Sequence, residues 1–158
     1  MIVHPIPPLF DENSQTLILG SFPSVKSREA EFFYGHPQNR FWAVIAKLYG
    51  CEKPVTIEEK KKLVLENRLA MWDVIQSCEI EGSADSTISN VTANDLSIIL
   101  ENSRVDRIFV NGKTAEKYYK KYTYPKTDIK AICLPSTSPA NAAWSIDRLI
   151  EAWKIILK

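Results

Sequence analysis

The run Gly35-His36-Pro37-Gln38-Asn39-Arg40-Phe41-Trp42, GHPQNRFW, sets an imidazole and a side-chain amide directly before two large aromatics. An amide is too weak to act as a base. Its carbonyl can still accept from a water and orient it, which is enough when the leaving group does much of the work. The same oxygen can instead cap a helix, and both roles are open for Asn39. Four more stretches carry groups of this kind: Gly20-Ser21-Phe22-Pro23-Ser24, Trp72-Asp73, Asn111-Gly112 and Pro135-Ser136-Thr137-Ser138-Pro139. Asn111 can present a donor and an acceptor together, or act as the turn residue of an Asn-Gly step. Phe22 is an aromatic in a polar loop, suited to stacking on a flat ligand or to filling core. Asp73 can cap the segment that follows it or reach a ligand, and His36 is either a structural imidazole or a participant in the chemistry.

Several familiar chemistries lack their residues. Gly112-Lys113-Thr114 mimics the end of a phosphate-binding loop, but Arg107 stands where the first glycine belongs. No GxGxxG supports a dinucleotide site, and the HxE…PCxxC pattern of zinc deaminases is missing. His4 and His36 lie far apart in the chain, which argues against a His-rich metal site. Cys51, Cys78 and Cys133 are odd in number and widely spaced, so reduced thiols are expected rather than a disulfide framework, a zinc ribbon or an iron–sulfur cluster. Neither a cofactor nor a metal is expected. A serine hydrolase built on Ser21 has no GxSxG and only His4 or His36 for a base.

The 158 residues suffice for one domain, 1–158, with a substantial core, and 45% hydrophobic with 25% charged residues is ordinary for a globular protein. Net charge is +1 (20 basic, 19 acidic), so any contact with nucleic-acid phosphates must be local. No apolar run approaches the ~20 residues that cross a bilayer. The opening MIVHPIPPLFDENSQ has no basic n-region and no sustained apolar stretch, which predicts no cleaved leader and a cytoplasmic location.

The polar groups need a scaffold. The Pro-rich opening, residues 1–15, is expected to run extended along the surface. Thr16–Leu19 reads as a buried strand ended by Gly20, and Leu69–Val74, Arg107–Val110 and Ile129–Leu134 read as three more. Gly20 to Gln38 shows no period, although Phe32, Phe33 and Tyr34 lie in it, and a loop that long is usually functional. Phe41, Val44, Ile45 and Leu48 keep helical spacing up to Gly50, and Thr56-Ile57-Glu58-Glu59 is a capping box opening a helix to about Asn67. Further helices are expected over Asn94–Asn102, Lys113–Tyr122 and Ala142–Leu157. In the last, Ile146, Leu149, Ile150, Trp153 and Leu157 share one face. Strands alternating with helices predict an α/β fold of three layers, α/β/α, about a central, mostly parallel four-stranded sheet. Ligands of such sheets sit beyond the carboxyl ends of the strands, where the polar stretches converge.

GSFPS after the first strand, HPQNRFW at the end of the following loop and LPSTSPAN after the last strand resemble, in order and spacing, the uracil-DNA glycosylase superfamily. Within it the chain looks most like the hypoxanthine-DNA (deoxyinosine) glycosylase branch, which LAMWDVI and Gly82–Ile88 (GSADSTI) also resemble. HPxNRFW is shared with mismatch-specific uracil/thymine enzymes. Their first motif resembles GINPG, with an Asn that orients water, and the classical uracil enzymes use an Asp there; GSFPS has neither. The resemblance implies a monofunctional glycosylase that hydrolyses the N-glycosidic bond of a flipped deaminated base, hypoxanthine first, with Asn39 as the catalytic amide. It also implies a base pocket from Gly20, Ser21, Phe22, Pro23, His36, Asp73 and Asn111, and a strand-binding loop from Ser136, Thr137, Ser138, Pro139 and Ala140. The implied partner is DNA containing deaminated bases, met by a monomer without metal or membrane. Lys113, Lys117, Lys120 and Lys121, interleaved with Tyr118, Tyr119 and Tyr122, can meet phosphates or form a solvated helix face. Two other readings stay open: the same fold acting on mismatched uracil or thymine, and a non-catalytic nucleic-acid-binding module.

Overall fold

The computed structural model describes residues 1–158. In chain order it runs β1 (Ile2–Val3), β2 (Thr16–Gly20), α1 (Val25–Ala30), α2 (Phe41–Leu48), α3 (Ile57–Glu66), β3 (Leu69–Asp73), β4 (Ile75–Glu79), β5 (Ser89–Ala93), α4 (Ser97–Leu100), β6 (Arg107–Asn111), α5 (Lys113–Tyr118), α6 (Tyr124–Thr127), β7 (Ala131–Leu134) and α7 (Ile146–Trp153). Four of the strands form a wholly parallel sheet in the order β3-β2-β6-β7, with Thr16 beside both Leu69 and Arg107 and Phe109 beside Ile132. Alternation along each strand splits its apolar residues between two cores. Ile18, Met71 and Phe109 pack with Phe41, Trp42 and Ile45 of α2, Leu63 and Val64 of α3, and Leu149 and Trp153 of α7. Leu17, Leu19, Ile108 and Val110 pack on the other side with Ile99 of α4, Ala115 and Tyr118 of α5, and Ile75 and Cys78 of β4. The layers are those expected, α/β/α about a four-stranded parallel sheet.

Five local expectations are corrected. A second sheet, β1-β4-β5, antiparallel throughout, shares the second face with the helices. Only Val74 separates β4 from β3, so the two read in the sequence as one apolar run. The opening segment is not a surface strand: β1 pairs with β4, Leu9 bridges Met71, and Ile6 (3% exposed) and Leu9 (9%) enter the core. The helix expected over Asn94–Asn102 is a single turn, because Asn94 donates its amide protons to the carbonyls of Asp73 (2.9 Å) and Ile75 (3.3 Å) instead of entering a helix. The Lys113–Tyr122 helix loosens at Tyr119 into a π-helical stretch ending at Thr123. The last helix starts at Ile146, capped by Ser145, and tightens after Trp153 into a 3₁₀ turn. That tightening puts Ile156 (2% exposed) inside and leaves Leu157 (48%) outside.

Trp153 joins this scaffold to the loop after β7. Its indole N–H donates to the carbonyl of Pro135 (3.0 Å) and its ring meets Phe41 edge-on at 5.8 Å. Trp153→Ala should lower the unfolding free energy in urea titration by about 3–5 kcal/mol, and a loss below about 1 kcal/mol would show that the ring anchors neither layer.

Candidate functional site

A cavity of about 580 Å³ opens at the carboxyl ends of β2, β3 and β6 and against the loop after β7. It gathers Gly20, Ser21, Phe22, Pro23, His36, Asn39, Asp73, Asn111 and Ser136 through Ala140 around one space. Asn39 and every residue that the resemblance implied for the base pocket and the strand-binding loop therefore lie in its wall.

One wall is organised by Thr137, which has no solvent contact at all. Its hydroxyl donates to Asn39 Oδ1 (2.9 Å) and accepts from Asn111 Nδ2 (3.0 Å). Its backbone N–H donates to Asn111 Oδ1 (3.0 Å), and its carbonyl accepts the N–H of Arg40 (3.1 Å). The Arg40 guanidinium then donates to the carbonyls of Ser138 (2.9 Å), Asn141 (3.0 Å) and Trp144. HPQNRFW and LPSTSPAN, far apart in sequence, are thereby clamped into one rigid surface. All the polar atoms of Thr137 are engaged within the protein, so in this structure it braces the two loops. Ser136, Ser138, Pro139 and Ala140 remain at the rim.

Asn39 also accepts the N–H of Phe41 (2.9 Å), which satisfies an orphan donor at the start of α2. Helix capping and facing the pocket therefore coexist. Phe41 N–H can only donate, so the amide orientation follows from the network, and both lone pairs of Oδ1 are in use. With the carbonyl engaged by Phe41 and Thr137, the Nδ2 amino group is what remains for the cavity. Asn111 uses both Nδ2 protons internally, on Thr137 and on Tyr34 Oη (3.1 Å), and keeps one lone pair of Oδ1.

The opposite wall centres on Gly20. A Cβ there would stand 2.4 Å from Asp73 Oδ1 and 3.1 Å from the Tyr34 hydroxyl, so only glycine fits. Asp73 Oδ2 accepts from His4 Nε2 (2.7 Å). His4 Nδ1 accepts the N–H of Ile6 (3.2 Å), which turns Nε2 and its proton to Asp73. His4 also meets Phe22 edge-on at 5.9 Å. Phe22 is both core and pocket wall, 8% exposed, with the Arg28 guanidinium 5.7 Å from its ring. Tyr34 sits at φ 52°, a conformation rare outside glycine, with its ring stacked on Phe41 at 4.2 Å. Burial, and secondarily the charge of Asp73, raise its phenol well above the ordinary tyrosine range.

Asp85, on a 3₁₀ turn at the rim, has its carboxyl pushed up by lost hydration, opposed by the Thr114 and Ser21 hydroxyls. Ser21 leans toward Asp85 (3.5 Å) rather than toward an imidazole that would activate it as a nucleophile. His36 accepts the N–H of Gln38 on Nδ1 (3.1 Å), a turn contact, and lines the cavity. No three His, Cys, Asp or Glu side chains are grouped to hold a metal ion. Lys117 and Lys121 fold over Tyr118 and Tyr122 at 5.2 and 5.1 Å, the behaviour of a solvated helix face. Tyr34 and Arg40 escaped the sequence reading, and His4 entered it only as a candidate base for Ser21, not as the partner of Asp73. Tyr34 had left a trace, an aromatic in a loop that should be polar, whereas nothing local marked His4.

The model of the uracil DNA glycosylase superfamily matches residues 7–157. A protein of Methanosarcina acetivorans named hypoxanthine DNA glycosylase is 34% identical over 160 residues, covering 100% of this chain and 99% of the relative. A protein of the same name from Methanosarcina barkeri is 31% identical over 114 residues, 71% of this chain and 72% of that one. A solution NMR structure from Methanosarcina acetivorans, named for the uracil DNA glycosylases, superposes with a TM-score of 0.83 at 34% identity, covering 99% of this chain and 96% of that chain.

Thr137→Val keeps the shape but orphans the partners of the hydroxyl, so the unfolding free energy should fall by about 1–3 kcal/mol, with Thr137→Ser recovering most of it. Tyr34 binds its proton more tightly in the folded state, so its contribution to stability is complete below about pH 10 and is lost as pH rises above that, when the unfolded chain releases the proton first. Urea titrations across that range should show stability declining, and Tyr34→Phe should flatten part of the decline.

Proposed function

The chain belongs to the uracil DNA glycosylase superfamily, and on that premise we propose that it is a monofunctional DNA glycosylase releasing hypoxanthine from deaminated adenosine sites in DNA. The observation that carries the reading is Asn39: a rigidly held amide in the wall of the strand-end cavity, its Nδ2 free, while the GSFPS loop supplies neither a carboxylate nor an amide. Full-length similarity to a protein named hypoxanthine DNA glycosylase supports the choice of base.

The target nucleotide flips out of the duplex into the cavity, where the face of Phe22 stacks on the base. Asn39 Nδ2–H donates to one lone pair of a water and leaves the other directed at the anomeric carbon. The C1′–N9 bond breaks with its electron pair leaving on the base, the water oxygen bonds to C1′, and the proton released by the water balances the charge on the base. Ser136, Ser138, Pro139 and Ala140 meet the strand beside the extruded nucleotide. The partner is DNA containing deaminated bases, and the chain acts as a monomer of one domain in the cytoplasm; no helix is long and apolar enough to cross a membrane.

The test is alkali-revealed cleavage of end-labelled duplexes carrying one hypoxanthine, one uracil or one G·T mismatch. Hypoxanthine release should dominate, and Asn39→Ala should reduce it by about 10²–10³-fold. Cutting mainly at uracil would transfer the chain to the mismatch-specific reading. Release from no duplex, with DNA binding retained, would favour a binding module.

A further inference from the structure

We propose that Asp73 and Tyr34 together form an acceptor–donor pair that reads the lactam edge of a deaminated purine, making this pair the determinant of hypoxanthine over adenine. The inference rests on the glycosylase reading above. Asp73 Oδ1 and the Tyr34 hydroxyl both occupy the space a side chain at Gly20 would need, and both residues line the cavity. Their remaining bonds orient them. His4 takes up Oδ2 of Asp73, and no donor in the chain reaches Oδ1. Asn111 Nδ2 donates to Tyr34 Oη, so the phenolic proton points elsewhere, and no acceptor in the chain receives it. The cavity is thus offered a carboxylate acceptor beside a hydroxyl donor. Stacking on Phe41 and the φ of 52° hold the phenol in place.

Deamination of adenine replaces the amino group at C6 by a carbonyl and moves a proton onto N1. The edge that was donor at position 6 and acceptor at N1 becomes acceptor at position 6 and donor at N1. Against Asp73 and Tyr34 the deaminated edge makes two hydrogen bonds, N1–H to Oδ1 and the phenol to O6. Adenine instead turns its N1 lone pair toward a carboxylate and its amino group toward a donor. A buried site built for one pattern rejects the other strongly because its own groups are left unpaired. His4 is the positioning residue: it ties the opening segment of the chain to Asp73 and decides which carboxylate oxygen faces the base.

The experiment measures binding separately from cleavage. Duplexes carry 2′-fluorinated deoxyinosine or 2′-fluorinated deoxyadenosine, whose glycosidic bonds resist cleavage, or a tetrahydrofuran abasic site. The wild type should bind the inosine duplex about 10- to 100-fold tighter than the adenosine duplex. Asp73→Asn, whose amide oxygen can take the His4 proton and turn Nδ2 to the cavity, should erase that preference while affinity for the tetrahydrofuran duplex stays within about twofold. Tyr34→Phe, which keeps the ring stacked, should erase part of it. A preference that survives both variants, or that the wild type lacks, overturns the inference, and so does a preference untouched in Tyr34→Phe where Asp73→Asn fails to fold. Hypoxanthine release without any binding preference overturns this inference alone, and a preference without release overturns the glycosylase reading alone.

Discussion

The site depends on the four hydrogen bonds of Thr137, a residue with no solvent contact. Two loops leave the parallel sheet at different strands, and no helix or strand covers the segments 35–40 and 135–144 where they meet. A buried hydroxyl with a donor and an acceptor on opposite sides removes that freedom, since each misplacement would strand a polar group away from water. Asn39, Asn111 and the Arg40 backbone are thereby placed relative to one another, and Arg40 extends the clamp along the loop through three carbonyls.

The same network decides the polarity of the site. Once Phe41 and Thr137 occupy the carbonyl of Asn39, the amide can offer the cavity only protons. Once Asn111 donates to Tyr34, the phenolic oxygen accepts within the fold, and no acceptor in the chain takes its proton. The opposite wall obeys the same logic: His4, fixed by the Ile6 N–H, commits one oxygen of Asp73 and frees the other. Donor and acceptor directions at the cavity surface are set by bonds made behind it.

Much of the scaffold was legible because burial on two faces leaves a strong mark. Thr16–Gly20, Leu69–Asp73 and Arg107–Asn111 are short apolar runs ended by turn residues, and a parallel sheet follows from their alternation with helices. The β1-β4-β5 sheet was not legible. β5 is SNVTA, largely polar, and β1 is two residues long, so their pairing is supplied by β4 rather than by any pattern of their own. The end of α7 shows the same limit: Ile156 and Leu157 are interchangeable in a helical wheel until the last turn tightens.

The residue types that face the cavity, and their assembly at the strand ends, were determined by the sequence alone, because strand-exit position in a parallel sheet dictates convergence. The tertiary structure decided what each of them offers. His4 and Asp73 meet across 69 positions of chain, and Asn39 and Thr137 across 98. An amide or a carboxylate has several hydrogen-bonding sites, and which one remains for a ligand depends on partners that local sequence does not contain.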